Sequence, residues 1–188
     1  MGYFDDKKNV DEYIKMAEGY DGRDLIEILK KQLPRESTVL ELGMGPGIDL
    51  EILSESYKVT GSDFSRVFID LYREKDTNMD LLVLDAVKIQ SDRTFDCIYS
   101  NKVLHHLTRT DLDLSFSRQS EVVNTGGLIM HSFWHGSKEE FFQGLGFVYY
   151  EEEEIAQMIG SPFEVMEMER YTEMEKDDSF YLLARKAN

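Results

Sequence analysis

The chain has 188 residues, with 21 Lys and Arg against 37 Asp and Glu, for a formal net charge of −16. That length makes one domain whose core hides roughly 70% of the unfolded surface. The acidity repels phosphate backbones and anionic bilayers, which argues against nucleic acid and membrane surfaces as partners.

The first residues, MGYFDDKKNVDEY, lack the cationic start and apolar run of a secretory signal. Gly2 is followed by Asp6 where a myristoyl signal needs Ser or Thr. Asn9 to Leu33 reads as helix in two pieces, broken at Gly19-Tyr20-Asp21-Gly22, with Asp21 as N-cap of the second and Pro34 as its stop. Ser37 to Leu42 is a buried-type strand running into Gly43-Met44-Gly45-Pro46-Gly47, and Ile48 to Ser56 returns to helical spacing. Strand at Tyr57–Ser62, helix at Phe64–Glu74, strand at Asp80–Leu84 and strand at Phe95–Tyr99 follow. Helical spacing over Leu107–Val123 breaks at Asn124-Thr125-Gly126-Gly127, before a strand at Leu128–Phe133.

Beyond Trp134 the rhythm changes. Gly144–Tyr150 is aromatic and extended, Glu151–Ile159 helical, and Phe163–Tyr171 and Ser179–Ala184 are strands with no helix between them. No apolar run reaches the ~20 residues of a membrane span. Strand–helix alternation predicts an α/β fold, a doubly wound, mostly parallel sheet closed by an antiparallel C-terminal strand. One domain is expected over 1–188: a helical segment 1–36, a core 37–134, and a helix with an antiparallel strand pair over 135–188. Cys97 is the single cysteine, so neither an internal disulfide nor a thiolate metal cage is available. A reducing cytoplasm is the expected compartment.

Gly43, Gly45 and Gly47 let the backbone take positive φ and let a ligand approach the main chain at the carboxyl end of the first strand. Dinucleotide enzymes place GxGxxG here, with the helix N-terminus facing pyrophosphate. This chain has GxGxG instead, with Glu41 ahead of the loop and Asp49 and Glu51 behind it. Those carboxylates repel pyrophosphate. The ligand they suggest is a nucleoside without phosphates that carries a positive or zwitterionic group. Asp63, 18 residues after Gly45, can accept from two ribose hydroxyls. Asp85 can accept from an adenine amino group, with the Ala86 backbone as complementary donor.

These segments resemble the class I S-adenosylmethionine-dependent methyltransferases over about Val39 to Phe133. VLELGMGPG is similar to their glycine motif, Val59 to Asp63 to their ribose segment and Leu82 to Ala86 to their adenine segment. Phe95 to Leu107 is similar to the fourth motif of the branch that methylates small molecules. The resemblance implies a Rossmann-like seven-stranded sheet and S-adenosylmethionine as cofactor. It also implies that Glu41 orients the loop or the methionine amino group, that Asn101 lines the methionine end, and that Tyr20 lies in a segment folded over the cofactor. Ser100-Asn101-Lys102-Val103 stands where an Asn-Pro-Pro-Tyr-like segment would mark adenine or glutamine amides as acceptors. The single cysteine counts against arsenic methylation.

Methyl transfer from a sulfonium is an in-line displacement that needs a base only when the nucleophile must lose a proton. His105, His106 and His131 are the candidate proton acceptors, at or beyond the ends of the fourth and fifth strands. The His105-His106 pair can equally shape the pocket. Trp134, the only tryptophan, either packs on a substrate or cation or caps the core. Phe141, Phe142, Phe147, Tyr149 and Tyr150 read as core contacts or a dimer patch, or as a lid over a hydrophobic acceptor. The histidine spacing does not converge as a helical metal motif would, so no metal is expected.

The expected function is methyl transfer to a small-molecule acceptor, by a monomer or homodimer. The alternatives are a non-catalytic S-adenosylmethionine- or nucleoside-binding module and a nicotinamide-linked oxidoreductase. Residues 150–178 hold 11 acids and 2 bases, more than half of the net charge. The −16 is therefore mostly a solvated face away from the cofactor motifs.

Overall fold

The computed structural model describes residues 3–142 and 144–187. Gly2, considered above for lipidation, and Gln143 lie outside them. Helix α1 (Lys7–Met16) starts at Asp6, whose carboxylate accepts from the Lys8 amide at 2.8 Å. Helix α2 (Arg23–Lys30) buries Leu25, Ile26 and Leu29 on one face. Its N-cap is Gly22 rather than the expected Asp21, because the Gly22 amide is drawn to Asp49 at 2.7 Å. Asp21 keeps a smaller share, accepting from the Arg23 amide at 3.0 Å.

The core alternates strand and helix except between β3 and β4, which are joined by a helix-free loop: β1 (Thr38–Leu42), α3 (Ile48–Ser54), β2 (Lys58–Asp63), α4 (Arg66–Lys75), β3 (Asp80–Val83), β4 (Phe95–Asn101), α5 (Arg109–Val122) and β5 (Val123–Trp134). A 3₁₀ turn, Leu104–His106, joins β4 to α5. Ser65 and Thr108 cap α4 and α5, accepting from the Phe68 and Asp111 amides. The expected break at Asn124–Gly127 lies inside β5 instead. Val123 pairs with Phe95 and Leu128 with Cys97, so the intervening residues bulge while the ladder continues.

The C-terminal third adds β6 (Glu139–Phe142), β7 (Leu145–Val148), α6 (Glu152–Ile159), β8 (Phe163–Tyr171) and β9 (Ser179–Lys186). Strands β6 and β7 form a separate antiparallel hairpin where the sequence suggested a single extended stretch. The main sheet has seven strands in the order β3-β2-β1-β4-β5-β9-β8, with β9 antiparallel to both neighbours. This is the doubly wound, Rossmann-like α/β architecture the alternation predicted.

Both faces of the sheet are covered, and alternate strand residues enter opposite layers. Leu40, Ile98, Ile129 and Leu182 pack with Phe116 and Ile155, from α5 and α6. Val39, Tyr99, Met130 and Leu183 pack with Ile26, Leu50 and Ile69, from α2, α3 and α4. The late acidity is spread over α6, the edge strand β8 and the β8–β9 connection, and on β8 Glu164 and Glu169 are exposed. Charges there discourage pairing by another chain.

Candidate functional site

The carboxyl ends of β1 to β4 open into two adjoining cavities. The larger, about 350 Å³, is walled by Asp63, Asp85, Ala86 and His106 among others. The smaller, about 130 Å³, is walled by Glu41, Asp49, Asn101 and Tyr20. Tyr13, Gly43, Gly45, Lys102 and Val103 line both.

Local sequence shapes the loop between them. Gly47 caps α3 at φ 85°, in the left-handed region. Gly43 leaves room for Val103, whose methyl carbon lies 2.5 Å from where a Cβ on Gly43 would stand. The loop is then tied to the second strand, because Asp63 accepts from the Gly45 amide at 2.9 Å and the Ser65 amide at 2.7 Å. Burial holds the Asp63 carboxyl above its usual range, only partly offset by these two amides.

Glu41 is 3% exposed, and its Oε2 has no hydrogen-bond partner among the described residues. Burial, with Asp49 and Asp63 nearby, drives its carboxyl well above the usual range. An orphaned acid in a cavity wall fits a cationic group such as an amino-acid ammonium. Asp49 organises the same end: it accepts from the Gly22 amide, the Tyr99 phenol at 2.8 Å and the Asn101 amide at 3.1 Å. Asn101 in turn accepts from the Ser132 hydroxyl at 2.6 Å. With three carboxylates around the loop, a pyrophosphate has no favourable place here.

In the larger cavity, Asp85 accepts from the Val87 amide at 2.8 Å and lies 3.5 Å from the Lys88 ammonium. Phe4 and Tyr13 also line this wall and meet edge to face, and Phe68 completes the cluster. Tyr20, the tyrosine singled out from sequence, is half exposed at the rim of the smaller cavity. Tyr13 was not singled out, because an aromatic on an amphipathic helix reads as core.

The three histidines separate. His106 lines the larger cavity, and its Nδ1 lies 2.8 Å from the Gly146 carbonyl, an atom that only accepts. Nδ1 therefore carries the proton and Nε2 a lone pair. Burial lowers its basicity, partly offset by that hydrogen bond. His105 is 2% exposed, stacks on Phe147, and has no hydrogen-bond partner for either nitrogen among the described residues. It is held neutral as packing. His131 is fully buried between Ser100 and Gln119, each 2.8 Å from a ring nitrogen, and borders neither cavity. A proton acceptor at His131 is therefore corrected: both nitrogens are engaged inside the protein.

Among the described residues, Lys102 is the one lysine or arginine on either wall, and sequence reasoning passed over it. Its backbone is left-handed at φ 54°, and its ammonium donates to the Phe133 carbonyl at 3.0 Å and Ser179 at 2.6 Å. The ammonium sits 3.5 Å from the centre of the Trp134 ring, so the cation that Trp134 meets is the chain's own. Among the aromatics of the hairpin region, Phe147 backs the histidines and Tyr150 is fully buried, whereas Phe141 and Phe142 are exposed. No group of three or more potential ligands among the described residues could hold a metal, and no described helix is long and apolar enough to cross a membrane.

Residues 39–127 match the family model of a methyltransferase domain. No curated protein matches the sequence. Among solved structures, the fold is similar to an S-adenosylmethionine-dependent methyltransferase from Clostridium acetobutylicum, with a TM-score of 0.78, 15% identity, and 96% of this chain and 98% of that one covered. It is similar to 1,6-didemethyltoxoflavin-N1-methyltransferase of Burkholderia thailandensis, bound to its substrate and S-adenosylhomocysteine (0.72, 18%, 96% and 89%). It is also similar to the N-methyltransferase NodS of Bradyrhizobium japonicum in complex with S-adenosylhomocysteine (0.72, 15%, 88% and 85%). At these identities the likeness is one of fold. The matched methyltransferase domain, the sheet order and an acid-lined cleft suited to a phosphate-free nucleoside all agree with the class I S-adenosylmethionine-dependent methyltransferases that the sequence motifs resemble.

Proposed function

We propose that the chain methylates a small metabolite, with His106 as the proton acceptor. The observation that carries the cofactor assignment is the orphaned Glu41 carboxylate, in a cavity that continues past the glycine loop to Asp63 and Asp85. Glu41 and Asn101 hold the methionine end, with Tyr20 at its rim. Gly43, Gly45 and Gly47 let the main chain approach the ligand. Asp63 keeps lone pairs for ribose hydroxyls beyond the two amides it already accepts, while Asp85 and the Ala86 amide read adenine. When bound, S-adenosylmethionine supplies an electrophilic methyl carbon whose departure leaves a neutral thioether.

The chain's own task is to orient the acceptor, exclude water and take up a proton. His106 suits the last, because the Gly146 carbonyl fixes its tautomer and leaves Nε2 free to accept. The test is a panel of small amines, phenols, carboxylic acids and thiols incubated with S-adenosylmethionine carrying a labelled methyl group. Label transferred to a panel member, and lost in His106→Asn, supports the reading. Tight cofactor binding with no label transferred to any class favours a non-catalytic binding module instead.

A further inference from the structure

Five hydrogen bonds run in one direction through the core and end on the acid proposed to read adenine. The Ser100 hydroxyl faces His131 Nδ1 at 2.8 Å, and His131 Nε2 faces Gln119 Oε1 at 2.8 Å. The amide oxygen of Gln119 can only accept, so Nε2 is the protonated nitrogen and Nδ1 accepts from Ser100. The Gln119 amide then donates to the Ser115 hydroxyl at 3.1 Å, and Ser115 donates to the Ala86 carbonyl at 2.7 Å. The next amide, Val87, shares its peptide group with that carbonyl and donates to Asp85 Oδ1 at 2.8 Å. One peptide plane is thus held from both sides.

Ser100, His131, Gln119 and Ser115 are all fully buried. Four polar side chains at that depth are costly unless every link is made, and they lie beside a cavity wall rather than remote from it. A neutral imidazole suits the second position because it accepts at one nitrogen and donates at the other. Burial pushes the His131 ring down to about 3, so the direction of the chain holds throughout the neutral range.

We propose that His131, Gln119 and Ser115 are positioning residues that fix the Ala86–Val87 peptide, and through it the Asp85 carboxylate, for recognition of the cofactor's base. The inference rests on the assignment of Asp85 and Ala86 to adenine. It makes base selectivity, rather than cofactor binding in general, a property of a network anchored on β4 and β5.

The test compares binding of S-adenosylhomocysteine and S-inosylhomocysteine, which differ in the amino group, by calorimetry on the full chain. In Ser115→Ala, S-adenosylhomocysteine is expected to bind about tenfold more weakly while S-inosylhomocysteine changes little, so the preference for adenine falls by the same factor. Ser115→Thr, which keeps the hydroxyl, retains the preference. His131→Gln combined with Ser115→Ala loses no more preference than the worse single variant, as links of one chain should. A merely structural role would lower the melting temperature of Ser115→Ala and leave the affinity ratio unchanged, and that result overturns the proposal. If the wild-type chain binds neither nucleoside, the adenine assignment fails before the network is in question.

Discussion

Asp49, in the first turn of α3, accepts a hydrogen bond from the Tyr99 phenol at 2.8 Å, joining the glycine-loop helix to the middle of the sheet. Burial and this acid hold the phenol well above its ordinary range, so it stays a donor. The same carboxylate also takes the Gly22 amide and Asn101, and a Cβ on Gly22 would stand 2.1 Å from the phenol oxygen. Three segments far apart in sequence therefore meet at one acid beside the smaller cavity.

Asp49→Ala strands three donors. It should destabilise the chain by about 2–4 kcal/mol and weaken S-adenosylhomocysteine binding at least ~tenfold, whereas Tyr99→Phe costs about 1 kcal/mol. Urea melts and calorimetry on the two variants check the difference. Equal stability of Asp49→Ala and wild type would refute the hub.

Glu41 gives the opposite signature, stability surrendered for binding. Its folded carboxyl lies above the ordinary 4.5, so its contribution is fully present below that value and is lost as pH rises through the folded one. Glu41→Gln removes the cost of holding this acid out of its usual ionisation range. It should stabilise the ligand-free chain at pH 7, by ~1.4 kcal/mol for each pKa unit relieved, while weakening S-adenosylhomocysteine binding at least ~tenfold. Binding to the wild type should also release a proton, seen as a buffer-dependent calorimetric enthalpy.

The parts of this site that were legible in sequence are those where residue type and local position coincide. Acids at the ends of β1, β2 and β3 stand beside a glycine loop because parallel strands deliver their carboxyl ends to one edge. Asp49 was seen only as a repellent for phosphate, since nothing local reveals that Gly22 and Tyr99 converge on it. His131 was misplaced although a signal existed: period-two alternation sets it with Ile129 and Phe133, on the face that packs beneath α5. The β6–β7 hairpin was hidden because Glu139, Glu140, Phe141 and Phe142 are all exposed and show no alternation.

Lys102 offers a pH test on stability. Burial brings its amine down to about 7, against the pull of Glu173 and Asp178 in the opposite direction. Between about 7 and the ordinary 10.5 the unfolded chain holds a proton that the folded chain has released, so this residue makes stability rise with pH across that window. Lys102→Met should abolish that component, measured as the change in urea midpoint between pH 7 and 9 relative to wild type. An identical pH dependence in the two proteins would contradict the assignment.

His106 should show itself in turnover. Its ring is less basic than the ordinary 6.5, so it is neutral and able to accept a proton at pH 7–8, and activity should fall only on an acid limb below pH 6.5. With the acceptor identified by the panel, His106→Asn should lose ~10²- to 10³-fold in kcat while binding S-adenosylhomocysteine within about threefold of wild type. Retention of kcat would assign His106 to shaping the wall alone.

The central claim is that the acid-lined cleft binds S-adenosylmethionine, and the melting temperature of the wild-type chain tests it most directly. A ligand present at ~100 times its Kd adds about 2.7 kcal/mol to the folded state. S-adenosylmethionine and S-adenosylhomocysteine should each raise the melting temperature by several degrees, and NAD should leave it unchanged. No shift with either sulfur nucleoside, or an equal shift with NAD, would contradict the account.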